Sequence, residues 1–163
     1  MATTTDTEHQ ASTDDDRIAL ERVCAAVRAR AQLNSDGLTG VAAALLRPMV
    51  RDACLGLSVT TSSEDAAALW HQVRTSDSDL PAITPAARAE AATLAAHHNW
   101  GHGDSKTARS LIRQAQQLVP GHRLATLLAQ GLSTLTATES RQLGMAGIVV
   151  ATRLGVTLPG SPT

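Results

Sequence analysis

The chain has 163 residues, 43% of them hydrophobic, and a formal net charge of −1. Its apolar residues include 29 alanines, 20 leucines and 10 valines, with two tryptophans and no phenylalanine or tyrosine. This suits one domain with a single core. It argues against a β-sandwich or barrel and against an aromatic stacking platform for single-stranded nucleic acid. No apolar run reaches the roughly 18–20 residues of a membrane span, and the acidic, polar start does not read as a signal peptide.

Residues 1–13 are rich in Thr, Ser, Ala and acids and are expected to form a disordered acidic tail, because they hold too little apolar surface to offset ordering entropy. Asp14 to Asp16 place negative charge at a helix start. Leu20, Val23, Cys24, Val27 and Ala31 follow at helical spacing, and Asn34-Ser35-Asp36-Gly37 ends this first helix. Pro48 disfavours helix at Arg47, so the next apolar segment is split into helices at about 39–46 and 48–57, with one kinked helix as the alternative. Ser62 and Asp65 suggest a capping box for a helix carrying Ala66, Leu69, Trp70 and Val73. Residues 76–81 read as a loop.

Thr84-Pro85 is the clearest helix start, an N-cap followed by a proline whose missing N–H costs nothing in the first turn. That helix runs to about Trp100, and Gly101-His102-Gly103 turns the chain. Asp104 or Gly103 caps a helix over 105–118 with the stripe Ala108, Leu111, Ile112, Ala115 and Leu118. Val119-Pro120-Gly121 ends it. A helix from His122 to about Leu135 follows. A Thr136–Glu139 cap precedes a last helix near 138–154, with Leu143, Ala146, Val150 and Leu154 as its apolar face and Gly155 after its end. The fold class is therefore all-α, a compact bundle of about seven or eight helices. A single domain spans 14–155, and 156–163 is an irregular C-terminal tail.

Ala96, Gly103, Ala108, Ile112, Ala115 and Pro120 together resemble one tetratricopeptide repeat, in which small residues let paired helices nest. Only one such hairpin is present, and an array needs roughly three. The run Ala92 to Ala129 combines Trp100, Gly101-His102-Gly103-Asp104, Ala108, Ile112, Ala115 and Pro120-Gly121-His122. It resembles the C-terminal half of an actinobacterial family of unknown function, DUF4192. Val50-Arg51-Asp52-Ala53 and Leu69-Trp70 fall upstream in the order that family leads one to expect. The resemblance covers about residues 38–135 and implies that longer members carry an N-terminal half this chain lacks. It implies a fold and an actinobacterial host, or a phage or plasmid of one, but no chemistry. The excess of arginine over lysine, thirteen to one, fits a GC-rich genome.

Catalytic signals are missing. There is no Gly-x-Ser-x-Gly, no Walker loop and no Cys with an adjacent base. Cys24 and Cys54 lie in apolar helical patterns without CxxC spacing, which suits small core residues in a reducing cytoplasm. His97, His98, His102 and Asp104 are the one tempting metal cluster. His98 and His102 are four apart, but Gly101 and Gly103 are expected to break the helix between them, and Asp104 has a simpler use as a cap, so no metal or cofactor is expected. Glu64-Asp65 and Asp77/Asp79 suit capping and solubility. Adjacent Arg51 and Asp52 would each need other partners. Trp70 and Trp100 are expected first as structural anchors.

Charge is uneven. Residues 1–16 carry a net −5, and residues 91–163 a net +4. Lys106, Arg109, Arg113 and Arg123 form the candidate interaction face for an acidic protein segment or phosphate. The function these features support is a non-enzymatic, cytoplasmic protein-interaction module with a groove between helices, its partner a protein. The alternative is a regulatory or mobile-element protein that meets nucleic acid through the basic C-terminal half.

Overall fold

The computed structural model describes residues 4–76, 80 and 82–162. The Asp77/Asp79 pair, much of the expected 76–81 loop and residues 1–3 of the expected tail lie outside them. Among the described residues eight α-helices follow one another: α1 (Thr4–Ala29), α2 (Ser35–Leu45), α3 (Pro48–Cys54), α4 (Ser63–Thr75), α5 (Pro85–Gly101), α6 (Ser105–Leu118), α7 (Arg123–Thr134) and α8 (Ala137–Arg153). A 3-10 helix, Leu55–Val59, extends α3. No strand occurs among the described residues, and none of their helices is long and apolar enough to cross a membrane.

The caps explain most of the boundaries. Thr84, Asp104 and Thr136 accept from the backbone N–H groups of Ala87, Thr107 and Glu139, and Glu139 returns the bond to complete a capping box. His122 caps α7 through its ring, accepting from Ala125 N. Gly103, Gly121 and Gly155 take positive φ after α5, α6 and α8, conformations open to glycine without a Cβ clash. Three expectations are corrected. α1 begins at Thr4, not Asp14, so residues 4–13 are helical, and the Arg47 guanidinium reaches back to Asp16 and the Ser12 carbonyl. α1 ends at Ala29, where Arg30 turns left-handed at φ 52°, and Asn34 starts α2 by accepting from Gly37 N. Ser62 sits at the N-cap of α4, but its side chain makes no capping bond.

The core is built around α5. Ala87, Ala89, Ala91 to His98 and Trp100 are buried, so nearly every side of the helix faces protein, as expected for a helix apolar all round. It packs on α2, α4, α6, α7, α8 and the 3-10 helix. Ala96, Ala108 and Ala115 are buried where α5 and α6 pair, the small-residue contact that lets helix axes approach closely. Both tryptophans are only 2% exposed. Trp100 lies over Gly131 of α7, where a Cβ would come within 2.8 Å of its ring.

α8 departs from expectation by one position within the helix, while Leu154 at its end is buried as expected. Its buried residues are Ser140, Gly144, Gly147 and Ala151, while Leu143 and Val149 face out. Gly147 lies against the backbone of Gly56 in the 3-10 helix, and a Cβ on Gly56 would sit 2.7 Å from Ile148 N. Backbone-to-backbone contact here excludes any side chain and turns the small face inward. Residues 156–162 form no helix, yet they are anchored. Val156 and Leu158 are buried, and the Gly160 carbonyl accepts from Thr61 N.

Candidate interaction groove and a histidine–carboxylate cluster

The outward turn of the larger α8 side chains creates a groove. Leu124 and Leu127 of α7 and Leu143, Ala146 and Val150 of α8 line a recess of about 500 Å³ with α3 beneath it. Leu127 is 53% exposed and Leu143 40%. Met145 and Val149 are also exposed on α8 but do not line the recess. Large apolar side chains left open side by side mark interaction surfaces more than scattered single ones do. A cleft of about 670 Å³ between α1 and α2 is lined by Ala25, Ala26, Ala29, Gly37 and Gly40 among others. Such small residues offer little area for anchoring a partner.

Arg51 and Asp52 line the same recess and belong to a polar network. Arg51 donates from Nε and Nη2 to Asp52 Oδ1 at 2.9 and 2.8 Å, and from Nη1 to Glu90 Oε1 at 3.3 Å. The adjacent pair meets because the long guanidinium folds back over its neighbour, and Arg51 has the further partner expected of it in Glu90. Burial alone would lower the Arg51 pKa, but the bonds to Asp52 and the charges of Glu90 and Asp52 outweigh it and raise it. His122 accepts from Ala125 N at Nδ1, so Nε2 carries the proton and faces Glu90 Oε1 at 3.3 Å. Arg51, Glu90 and His122 thus tie α3, α5 and α7 together behind the groove.

Of the four residues of the expected basic face, Lys106, Arg109 and Arg113 lie on α6 and Arg123 begins α7. Arg109 and Arg113 line a small groove between α6 and α7, where Arg109 Nη2 donates to the Leu132 carbonyl at 3.4 Å. Arg123 lines the apolar α7–α8 groove instead. Lys106 is exposed and lines neither.

The histidines also separate. His97 is buried and structural. Its Nε2–H donates to the Ser140 carbonyl at 3.0 Å, and Nδ1 lies 3.1 Å from the Ser58 hydroxyl, pinning α5 to α8 and the 3-10 helix. Burial, helped by the nearby His98 and opposed by the Ser140 carbonyl, lowers its pKa to about 4. Asp104 is committed to capping α6. Its carboxylate is held below the usual range by Thr107 hydrogen bonds.

His98 and His102 stay on one face, because α5 runs on through Gly101 and does not break before it. Their rings lie 4.2 Å apart, and Glu64 of α4 reaches within 3.6 Å of His98 Nε2. Sequence reading missed Glu64, since nothing local joins residue 64 to residue 98. Cys24 and Cys54 are buried, and burial raises both thiols, Cys24 to about 11. Neither is a nucleophile at neutral pH.

The fold and these surfaces define an all-α domain with an open apolar groove. The chain belongs to the family described as a domain of unknown function, DUF4192, whose sequence model matches residues 1–138. The match starts at the first residue and includes α1, so the expected restriction to the family's C-terminal half is not supported. Searches of curated proteins and of solved structures return no match.

Proposed function

We propose that the domain is a non-enzymatic interaction module that holds a protein segment in the groove between α7 and α8. The observation that carries this reading is the exposed pair Leu127 and Leu143 over a recess of about 500 Å³. Arg123 stands at its edge, exposed and with no ion-pair partner among the described residues. The segment that fits has leucine-like anchors and an acidic residue for Arg123. The α5–α6 nesting of Ala96, Ala108 and Ala115 supports a tetratricopeptide-like hairpin, a scaffold type that serves binding, though only by analogy of fold. Buried, unbridged cysteines fit a reducing cytoplasm, and the arginine excess fits an actinobacterial source.

Selection from a displayed peptide library should yield sequences with paired apolar anchors and an acid. Leu127→Glu with Leu143→Glu should weaken their binding at least tenfold while the helical circular dichroism stays unchanged. Selected peptides that bind this double variant as tightly as the parent would refute the groove. A second reading, contact with nucleic-acid phosphates, rests on Arg109 and Arg113 sharing the α6–α7 groove. It requires binding to DNA or RNA that falls steeply with salt and is lost in Arg109→Glu plus Arg113→Glu.

A further inference from the structure

We propose that Glu64, His98 and His102 form a binding site for a divalent first-row transition-metal ion, with zinc the best fit. One ligand atom from each residue lies within 4.8 Å of the others. Two imidazoles at i, i+4 on one helix and a carboxylate from a second helix make an N2O donor set of the kind zinc accepts. Zinc–ligand bonds of about 2.0–2.1 Å place tetrahedral ligand atoms roughly 3.4 Å apart. The exposed Glu64 and His102 side chains have the freedom to close that gap.

A second observation concerns His98 itself. Its side chain is only 9% exposed, yet the fold satisfies neither ring nitrogen well. Nδ1 has no hydrogen-bond partner among the described residues. Nε2 lies 3.6 Å from Glu64 Oε1, too far for a hydrogen bond. A cation at Nε2 would take the ring nitrogen that makes no hydrogen bond, with the proton left on the unpartnered Nδ1.

His102 shows the orientation a ligand needs. Its Nδ1 lies 2.8 Å from the His98 carbonyl oxygen. A carbonyl only accepts, so Nδ1 carries the proton and Nε2 keeps its lone pair for a metal. Metal-bound histidines are commonly held this way by a backbone carbonyl. Glu64 and His102 border solvent, which leaves the remaining coordination positions to water.

The test uses untagged full-length protein freed of metal with a chelator and titrated with Co²⁺ or Zn²⁺. One Co²⁺ per chain, displaced by Zn²⁺ and giving the intense visible absorption of a tetrahedral centre, is the expected result. Glu64→Ala and His102→Ala, both at exposed positions, should each weaken binding about tenfold or more. His71→Ala, on an exposed histidine outside the cluster, should leave affinity unchanged. Absence of binding at near-millimolar metal would overturn the site. So would binding that persists unchanged in both cluster variants while their circular dichroism matches the parent.

Discussion

At the residue scale, His97 shows how burial sets a pH response. Its pKa is lowered from 6.5 to about 4, so the folded state holds it neutral where the unfolded chain takes up a proton. Between these values the unfolded state binds more protons, and stability rises with pH. The contribution is full above about pH 6.5 and is lost as pH falls toward about 4. At about 1.36 kcal/mol per unit, the loss is at most about 3 kcal/mol. Urea denaturation of metal-free protein should show a clear drop in midpoint between pH 7 and pH 5. A midpoint independent of pH across that range would contradict a buried, neutral His97. The sequence places His97 beside His98 without telling them apart. Their roles diverge because His97 points at Ser140 and Ser58, while His98 faces Glu64.

At the element scale, the 3-10 helix and α8 meet through glycine. A Cβ on Gly147 would press on the Gly56 amide and lie 2.8 Å from the Asp52 carbonyl oxygen. Backbone yields less than a flexible side chain, so Gly147→Ala should destabilise by about 3 kcal/mol, the upper part of the overpacking range. Gly101 in α5 offers a contrast, with no atom nearer than 3.9 Å to an added Cβ. Gly101→Ala should stabilise by roughly 0.5–1 kcal/mol, because alanine loses less backbone entropy in a helix. Thermal melts of the two variants should move in opposite directions. The contrast also locates what was legible. Helix starts marked by Thr84, Asp104 and Thr136 are written locally and hold in the structure. The inward face of α8 is not, because hydrophobic spacing favours Leu143 and Val150, whereas the close crossing needs Gly144 and Gly147.

At the scale of the whole molecule, the C-terminal tail closes the bundle. Val156 and Leu158 are buried though the segment forms no helix, and the Gly160 carbonyl holds Thr61. Burial of a side chain of this size is worth about 1.5–3 kcal/mol, so removing residues 156–163 should cost about 3–6 kcal/mol. The truncated protein should unfold at a visibly lower denaturant concentration. An unaltered transition would mean the tail adds nothing to the core. Such a segment looks dispensable in sequence because its apolar residues follow no period.

What the sequence determined by itself is the class and, from α4 onward, the segmentation: all-α, helices of about the right length, and small residues where α5 meets α6. These follow from short-range physics, since caps, glycine turns and helical spacing act within a few residues. Tertiary structure alone decided which surfaces exist. It opened the Leu127–Leu143 groove and brought Glu64 to His98 and His102. The reason is distance along the chain. Groups more than 30 residues apart meet only when helices have packed, and the α8 packing turns on glycines whose role is the absence of a side chain.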